Sequence, residues 1–449
     1  MNKMFYRDVL DDLRHWSEKE DRKPLIIRGA RQVGKTTAVN MFSEEFEQYL
    51  NFNLDLPDEQ KIFQQDLSIT DLISAMFLHK NKRRKKRRTL IFIDEIQNVP
   101  KALAQLRYFC ESAKDLYVIA SGSLLKTISS RKITYPVGRV EFINMYPLTF
   151  SEYLSAANAK EALEFYNQIP STGFAHSELL KHFHRFTLLG GMPEVIKDYI
   201  KTDDILSLNS IYNNLLIAYK EDVKKYARNE EMARIIRFAI DSCPYEAGTR
   251  IKFQGFGNSN YKSEKMNEAL KTLEKAMLID IIYPTTNTKP PVKPDFRKSP
   301  KLQFLDTGLI NFSAGLQEYF FTMEDLHSFH KGILAEHIVG QELKANYYRN
   351  DQLSFWVREK KQSSAEVDFV VPFKEYIIPI EVKAGKSGTL RSLHQFIDKT
   401  NHPYAVRFYS GEISKDQNTT PSGKNYHLLS LPYYLAGKLR EYLEWFTAS

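Results

Sequence analysis

Residues 24–39, PLIIRGARQVGKTTAV, restrict the possible folds more than any other stretch. A short apolar run leads into Gly29, Ala30, Arg31, Gln32, Val33, Gly34, Lys35 and Thr36, which fit G-x-x-x-x-G-K-[ST] at every fixed position, and Thr37 follows. Such a loop works only between a strand and a helix. The glycines let backbone N–H groups turn inward around phosphate oxygens, and the helix adds the positive end of its dipole. Lys35 is then placed for the β- and γ-phosphates and the Thr36 hydroxyl for Mg²⁺. Residues 29–37 are therefore the expected ATP-binding loop, with ATP and Mg²⁺ as cofactors.

Its partner is TLIFIDE, residues 89–95. The apolar run predicts a buried strand that ends in two carboxylates beside the loop. Asp94 is expected in the Mg²⁺ shell, and Glu95 is expected to orient or polarise the attacking water. Ser121, near the end of LYVIASG (116–122), could bond the γ-phosphate or the water. Ser123 competes for that role, and capping a helix is an equal use for either. Arg139 in YPVGRVEF is a candidate arginine finger, acting in cis or from a second copy, although a plain surface arginine is the commoner outcome.

Across residues 1–150, short apolar strands alternate with helical stretches, which predicts a parallel sheet covered by helices on both faces. Residues 151–205 read as a helical lid, broken at Gly190, Gly191 and Pro193. Residues 206–300 read as a winged-helix segment and linker. They hold helical patterns at 229–243 and 263–273, a strand in LIDIIYPTT, and then the Pro- and Lys-rich NTKPPVKPDFRKSPK (287–301). The second of those helices mixes acids and bases, so packing against protein is as good a reading as a DNA-reading face. In residues 301–449 a helix, GILAEHIVGQELKAN, precedes strands rich in Val, Ile and Phe.

That last segment holds a second constellation. AEVDFVVPF (365–373) and YIIPIEVKAG (376–385) read as the paired strands of a hairpin. Alternation puts Glu381 and Lys383 on one face, and Asp368 can approach from the neighbouring strand. Glu336 on the preceding helix offers a further ligand. Two carboxylates and a lysine at one point can hold Mg²⁺ and polarise a water for attack on a phosphodiester. The same residues can instead be ordinary surface charge, or a carboxylate pair with Lys383 as its counter-charge.

Charge and composition bound the partners. Of the formal net charge of +8, seven positive charges lie in KRRKKRR, residues 82–88, so the rest of the chain is nearly balanced. The run reads equally as a non-specific phosphate contact or as a solvated loop. No stretch reaches the ~18 uncharged apolar residues of a membrane span, and the N-terminal stretch lacks an apolar leader core. Cys110 and Cys243 imply no disulfide framework. A cytoplasmic protein without membrane attachment is expected. His182 and His184 lack the nearby Cys or acid partners of a zinc site.

In GARQVGKTT, LIFIDEIQNVP, ASGS, GRVEFINMYPLTFSEYL, GGMPEVI, FLDTGLINF and AEVDFVV with IPIEVKAG, the chain resembles the bacterial and archaeal AAA-type P-loop ATPases that carry a C-terminal domain of unknown function with a restriction-endonuclease-like fold. The resemblance covers nearly the whole chain. It implies an α/β fold: a P-loop NTPase parallel-sheet domain with a helical lid, a winged-helix segment, and a C-terminal α/β restriction-endonuclease-like domain of the PD-(D/E)xK type. The acid-x-lysine signature of that domain falls on Glu381 and Lys383, and its upstream acid on Asp368. The basic run at 82–88 lies outside the family pattern. The expected function is ATP binding and hydrolysis that switches a nuclease-like domain acting on DNA. The rival is an ATP-gated scaffold with an inactive nuclease-like domain, docking a protein partner or a second copy of the chain.

Overall fold

The computed structural model describes every residue except 1–3, 85–87, 123–135, 137, 226, 318–332, 348–352, 361–362, 386–388 and 449. The chain forms two units, one of residues 1–146 with 275–277 and one of residues 147–274 with 278–449.

In the first unit, β1 (Leu25–Arg28), β2 (Gln48–Asn53), β3 (Thr89–Asp94), β4 (Leu116–Gly122) and β5 (Glu141–Asn144) form one sheet in the order β2-β3-β4-β1-β5. Every pair is parallel. β3 is buried along its whole length, as a strand covered on both faces must be. Its Ile91 and Ile93 share a core with Leu50, Phe52, Leu103, Leu106 and Phe109. The helix Pro100–Ser112 starts on a proline, whose missing N–H is harmless at that position, and turns Ala102, Leu103, Leu106 and Phe109 inward. β4 stands between β1 and β3, so Asp94 meets the loop after β1 across the ends of the strands.

The second unit opens with helices. Phe150–Ala156 begins on a capping box in which Thr149 and Glu152 satisfy each other's backbone N–H. Helices His176–Leu189 and Pro193–Thr202 are divided by Gly190 and Gly191. A Cβ on Gly191 would lie 2.2 Å from the Leu148 carbonyl oxygen, so only glycine fits there. The buried Asp306 carboxylate accepts from the Gly191 N–H at 2.6 Å and from the N–H groups of Gly308 and Leu309 at 3.0 and 3.3 Å. It thereby caps helix Thr307–Ser313 and ties GGMPEVI to FLDTGLINF.

Helices Glu230–Glu246 and Ser263–Lys275 precede an antiparallel pair, β6 (Ile279–Ile282) and β8 (Lys301–Phe304). Between them, β7 (Pro284–Thr285) departs to the edge of a seven-stranded mixed sheet. The other members are β9 (Ser354–Lys360), β10 (Ser363–Phe373), β11 (Tyr376–Val382), β12 (Tyr404–Tyr409), β13 (Ser414–Thr419) and β14 (Asn425–Pro432). Their order is β13-β14-β12-β11-β10-β9-β7. Residues 287–300 run without helix or strand, in keeping with their prolines. The segments 206–300 and 301–449 therefore share both a hairpin and a sheet. β10 and β11 pair antiparallel, Phe369 opposite Ile380 through Phe373 opposite Tyr376. The pairing of β10 with β9 slips between Val367 and Val370, so Asp368 sits at a bulge that re-aims its side chain.

Candidate active site

The loop after β1 is held tightly. A Cβ on Gly29 would lie 2.5 Å from the Met145 carbonyl oxygen, which leaves no room for another residue. Arg7, only 7% exposed, donates from Nη1 to the Val33 carbonyl at 2.8 Å and from Nη2 to the Tyr146 carbonyl at 2.7 Å. Gly34 stands at the N-cap of helix Lys35–Ser43, whose first N–H groups are available to an anion. The buried Lys35 ammonium folds back onto the Gly29 and Ala30 carbonyls at 3.0 and 2.9 Å. A cationic donor resting on backbone carbonyls beside a helix N-terminus fits a polyphosphate, whose oxygens are stronger acceptors.

Three polar side chains meet at the end of β3. The Thr36 hydroxyl donates to Asp94 Oδ2 at 2.6 Å, the Ser121 hydroxyl donates to Asp94 Oδ1, and the Glu95 N–H donates to Asp94 Oδ1 at 3.0 Å. Asp94 thus gathers the helix after the loop, β3 and β4 at one point. Thr36 and Asp94 are the pair that would hold Mg²⁺, a hard cation taking oxygen ligands. Burial pushes the Glu95 carboxyl above its ordinary range, opposed by the nearby Lys35, and the Gln97 amide donates to Glu95 Oε2. A half-buried carboxylate beside Lys35 has the character of a general base.

The remaining expected residues lie apart from this cluster. Thr37 is exposed. Arg139, with 52% of its side chain exposed, pairs with Glu111 at 3.0 Å, and Glu111 also meets Arg107 at 3.4 Å. Ser123 lies outside the described residues. Arg7 joins the site without any signal in the sequence, because it belongs to no motif of fixed spacing, and Gln97 lies in the stretch LIFIDEIQNVP without having been singled out.

The acidic cluster of the second unit is shared between two lysines. Lys383 reaches Glu381 Oε1 at 2.5 Å. Glu336 and Asp368 turn instead to Lys301, which the sequence did not single out. Its Nζ lies 2.6 Å from Glu336, 2.8 Å from Glu366 and 3.8 Å from Asp368, with the side chain 5% exposed. Asp368 Oδ2 also accepts the Val382 N–H at 2.8 Å. Burial works against the charge of Lys301, but Glu336, Asp368 and Glu366 outweigh it and raise its pKa. Burial likewise pushes the carboxyls of Glu336, Asp368 and Glu381 up, while the lysines pull them back. Rigid elements set this geometry. The His337 carbonyl accepts from the Gln303 amide at 2.8 Å, and His337 Nε2 accepts the Phe304 N–H at 3.0 Å, tying helix Ile333–Asn346 to β8. Burial pushes His337 down to about 3, so its ring is neutral and free to accept. Among the described residues, no three Asp, Glu, His or Cys side chains are arranged to hold a metal ion.

Residues 21–154 match the AAA domain family. Residues 180–319 match a domain of unknown function, DUF8612, and residues 331–434 another, DUF4143. Similar solved structures include the Walker-type ATPase PABY2304 of Pyrococcus abyssi, at 14% identity and TM-score 0.45, covering 69% of this chain and 96% of that one. The Aeropyrum pernix ORC1 protein in complex with DNA is similar at 11% identity and TM-score 0.30, covering 70% and 94%. The Thermotoga maritima RuvB Holliday junction branch migration motor is similar at 13% identity and TM-score 0.28, covering 62% and 90%. No curated protein sequence matches the chain. The first unit therefore carries an AAA-type P-loop ATPase domain with an α/β fold and a parallel sheet. Among the described residues, no helix is long and apolar enough to cross a membrane.

Proposed function

We propose that the chain is a Mg²⁺-dependent ATP hydrolase whose nucleotide cycle governs docking by a nuclease-like second unit. The observation that carries the first half is the convergence of Thr36 and Ser121 on Asp94, next to Lys35 and Glu95. In this reading residues 29–37 hold the phosphates, and Lys35 moves from the loop carbonyls to the β- and γ-oxygens. Thr36 and Asp94 would hold Mg²⁺, which when bound would neutralise charge on the phosphates. Ser121 fixes the orientation of Asp94, and Glu95 takes the proton of the attacking water. Arg139 acts as a finger only if its pair with Glu111 opens. Two variants test this. Lys35→Ala removes or greatly weakens ATP binding by calorimetry. Glu95→Gln keeps Mg·ATP bound but slows hydrolysis by roughly 100-fold or more, the usual worth of a general base. Wild-type affinity in the first and wild-type turnover in the second would sink the assignment.

For the second unit, the restriction-endonuclease-like reading is supported by a mixed sheet that carries an acid-x-lysine pair at the end of β11 and an acid on β10. Helices followed by the β6–β8 pair support the winged-helix reading of the segment before it. Docking is favoured over cutting because Asp368 and Glu336 lie by Lys301 and Glu381 by Lys383, so each acid that would share a catalytic metal already faces a lysine. In the rival reading, Asp368 and Glu381 hold Mg²⁺ and Lys383 stands by the attacking water for work on DNA. Plasmid incubated with Mg²⁺ or Mn²⁺, with and without ATP, separates the two. Nicking that Glu381→Ala abolishes would establish the rival, and an intact plasmid in every nucleotide state is the expected result.

A further inference from the structure

We propose that Lys301 occupies the cation position of the acidic cluster, so that its ammonium carries the charge a divalent metal would carry, and that neutralising it opens a latent metal site. The proposal rests on the nuclease-like reading only for the expectation that a cation belongs there. The rest is geometry. An ammonium within 2.6–2.8 Å of two carboxylates and 3.8 Å of a third fills the space between them; the oxygens as they stand form no metal site, and only with the ammonium gone are they free to draw in around a hard cation. A lysine on a strand ordinarily threads its charged end out to water. Lys301 does the opposite, with its side chain 5% exposed and its Nζ 4.9 Å from the centre of the Phe355 ring. β8 and helix Ile333–Asn346 are locked together through His337, so Lys301 and Glu336 face each other by construction rather than by a chance side-chain orientation.

The surroundings show a need for positive charge. Glu381, with 7% of its side chain exposed, spends Oε1 on Lys383 and leaves Oε2 buried without a hydrogen-bond partner among the described residues. Arg250 approaches Glu366 only at 3.8 Å. A divalent ion added beside Lys301 would meet a like charge at contact distance, and the two would repel. Without the ammonium, the carboxylates must either protonate or capture a cation.

The test counts Mn²⁺ bound to the full chain by electron paramagnetic resonance, without nucleotide and in an Asp94→Asn background that silences the ATP site. With Lys301 present, Asp368→Asn should leave the Mn²⁺ count unchanged. Lys301→Met, which keeps the stem and removes the charge, should gain one Mn²⁺ per chain at millimolar metal, and adding Asp368→Asn should abolish the gain. Asp368-dependent Mn²⁺ binding in a chain that retains Lys301 would overturn the proposal, as would a folded Lys301→Met that gains nothing. If Lys301→Met does not fold, the first comparison still decides, since it leaves Lys301 in place. A chain that docks no partner would defeat the docking reading alone, because the Mn²⁺ count reports on the cluster directly.

Discussion

Arg7 supports the nucleotide loop from outside the motif. Its two guanidinium contacts go to backbone carbonyls, one of them inside the loop at Val33. Hydrogen bonds from a charged donor are worth about 1.5–3 kcal/mol, and a buried carbonyl left alone costs a similar amount. Arg7→Ala should therefore weaken ATP binding by about 10-fold or more, seen in calorimetry, while turnover of bound ATP changes less. Lysine should rescue it poorly, since one ammonium cannot serve two divergent carbonyls as a fork does. If Asp94 holds Mg²⁺ as proposed, Asp94→Asn should behave differently, losing the Mg²⁺ dependence of nucleotide binding because that charge is gone. Phosphate chemistry demands particular residue types at fixed offsets, which is why Gly29 to Thr36 could be read directly. Arg7 and Lys301 act through space on partners far away in the chain, and no spacing rule reports such a contact.

Between elements, the junction of Gly191 with Asp306 is the point where chemistry and stability meet. Burial pushes the Asp306 carboxyl from 3.8 up to about 6, against the pull of the Gly191, Leu309 and Gly308 N–H groups. Its other neighbours, Tyr212, Tyr219 and Gln341, carry no charge near neutral pH. Because the folded pKa lies above the unfolded one, this group's contribution is complete below pH ~4 and is lost as the pH rises through 6. At about 1.4 kcal/mol per pH unit, the loss is on the order of 3 kcal/mol. Denaturant unfolding between pH 4 and 7 should therefore show a shallower pH dependence in Asp306→Asn than in the wild type. Gly191→Ala should destabilise at every pH, because its Cβ would overlap the Leu148 carbonyl. The apolar runs of β3, β4, β10 and β11 were legible because burial on both faces, or pairing across a short turn, dictates composition. The order of strands was not. Crossovers set it, so nothing in TLIFID announces that β4 intervenes, and a two-residue strand such as β7 has no periodicity to detect.

For the whole molecule, the surplus charge is concentrated in one run, and Lys82, Arg84 and Arg88 of that run are already engaged. Arg84 pairs with Asp115 at 3.0 Å, Lys82 donates to the Tyr49 carbonyl at 2.5 Å, and Arg88 donates to Ser17 while lying over the Phe46 ring. Each phosphate contact contributes ~0.9 to the slope of log affinity against log salt on duplex DNA. Replacing Lys85, Lys86 and Arg87 by alanine should leave any DNA affinity and its salt slope unchanged. A slope reduced by about two or more would make the run a genuine nucleic-acid contact. The other large-scale feature is the stitch made by β7. Pro284 and Thr285 lie parallel against β9, and Ser354 and Trp356 bond the Tyr283 and Thr286 carbonyls at 3.0 and 3.3 Å. A fragment starting at residue 301 would strip β9 of its outer neighbour and β8 of β6, baring strand edges that recruit other chains. Such a fragment should precipitate on expression. Gene shuffling meets the same obstacle: the C-terminal sheet cannot pass between ATPases as a cassette cut at the proline-rich loop, and any exchange that preserves it must inherit residues 279–285 as well.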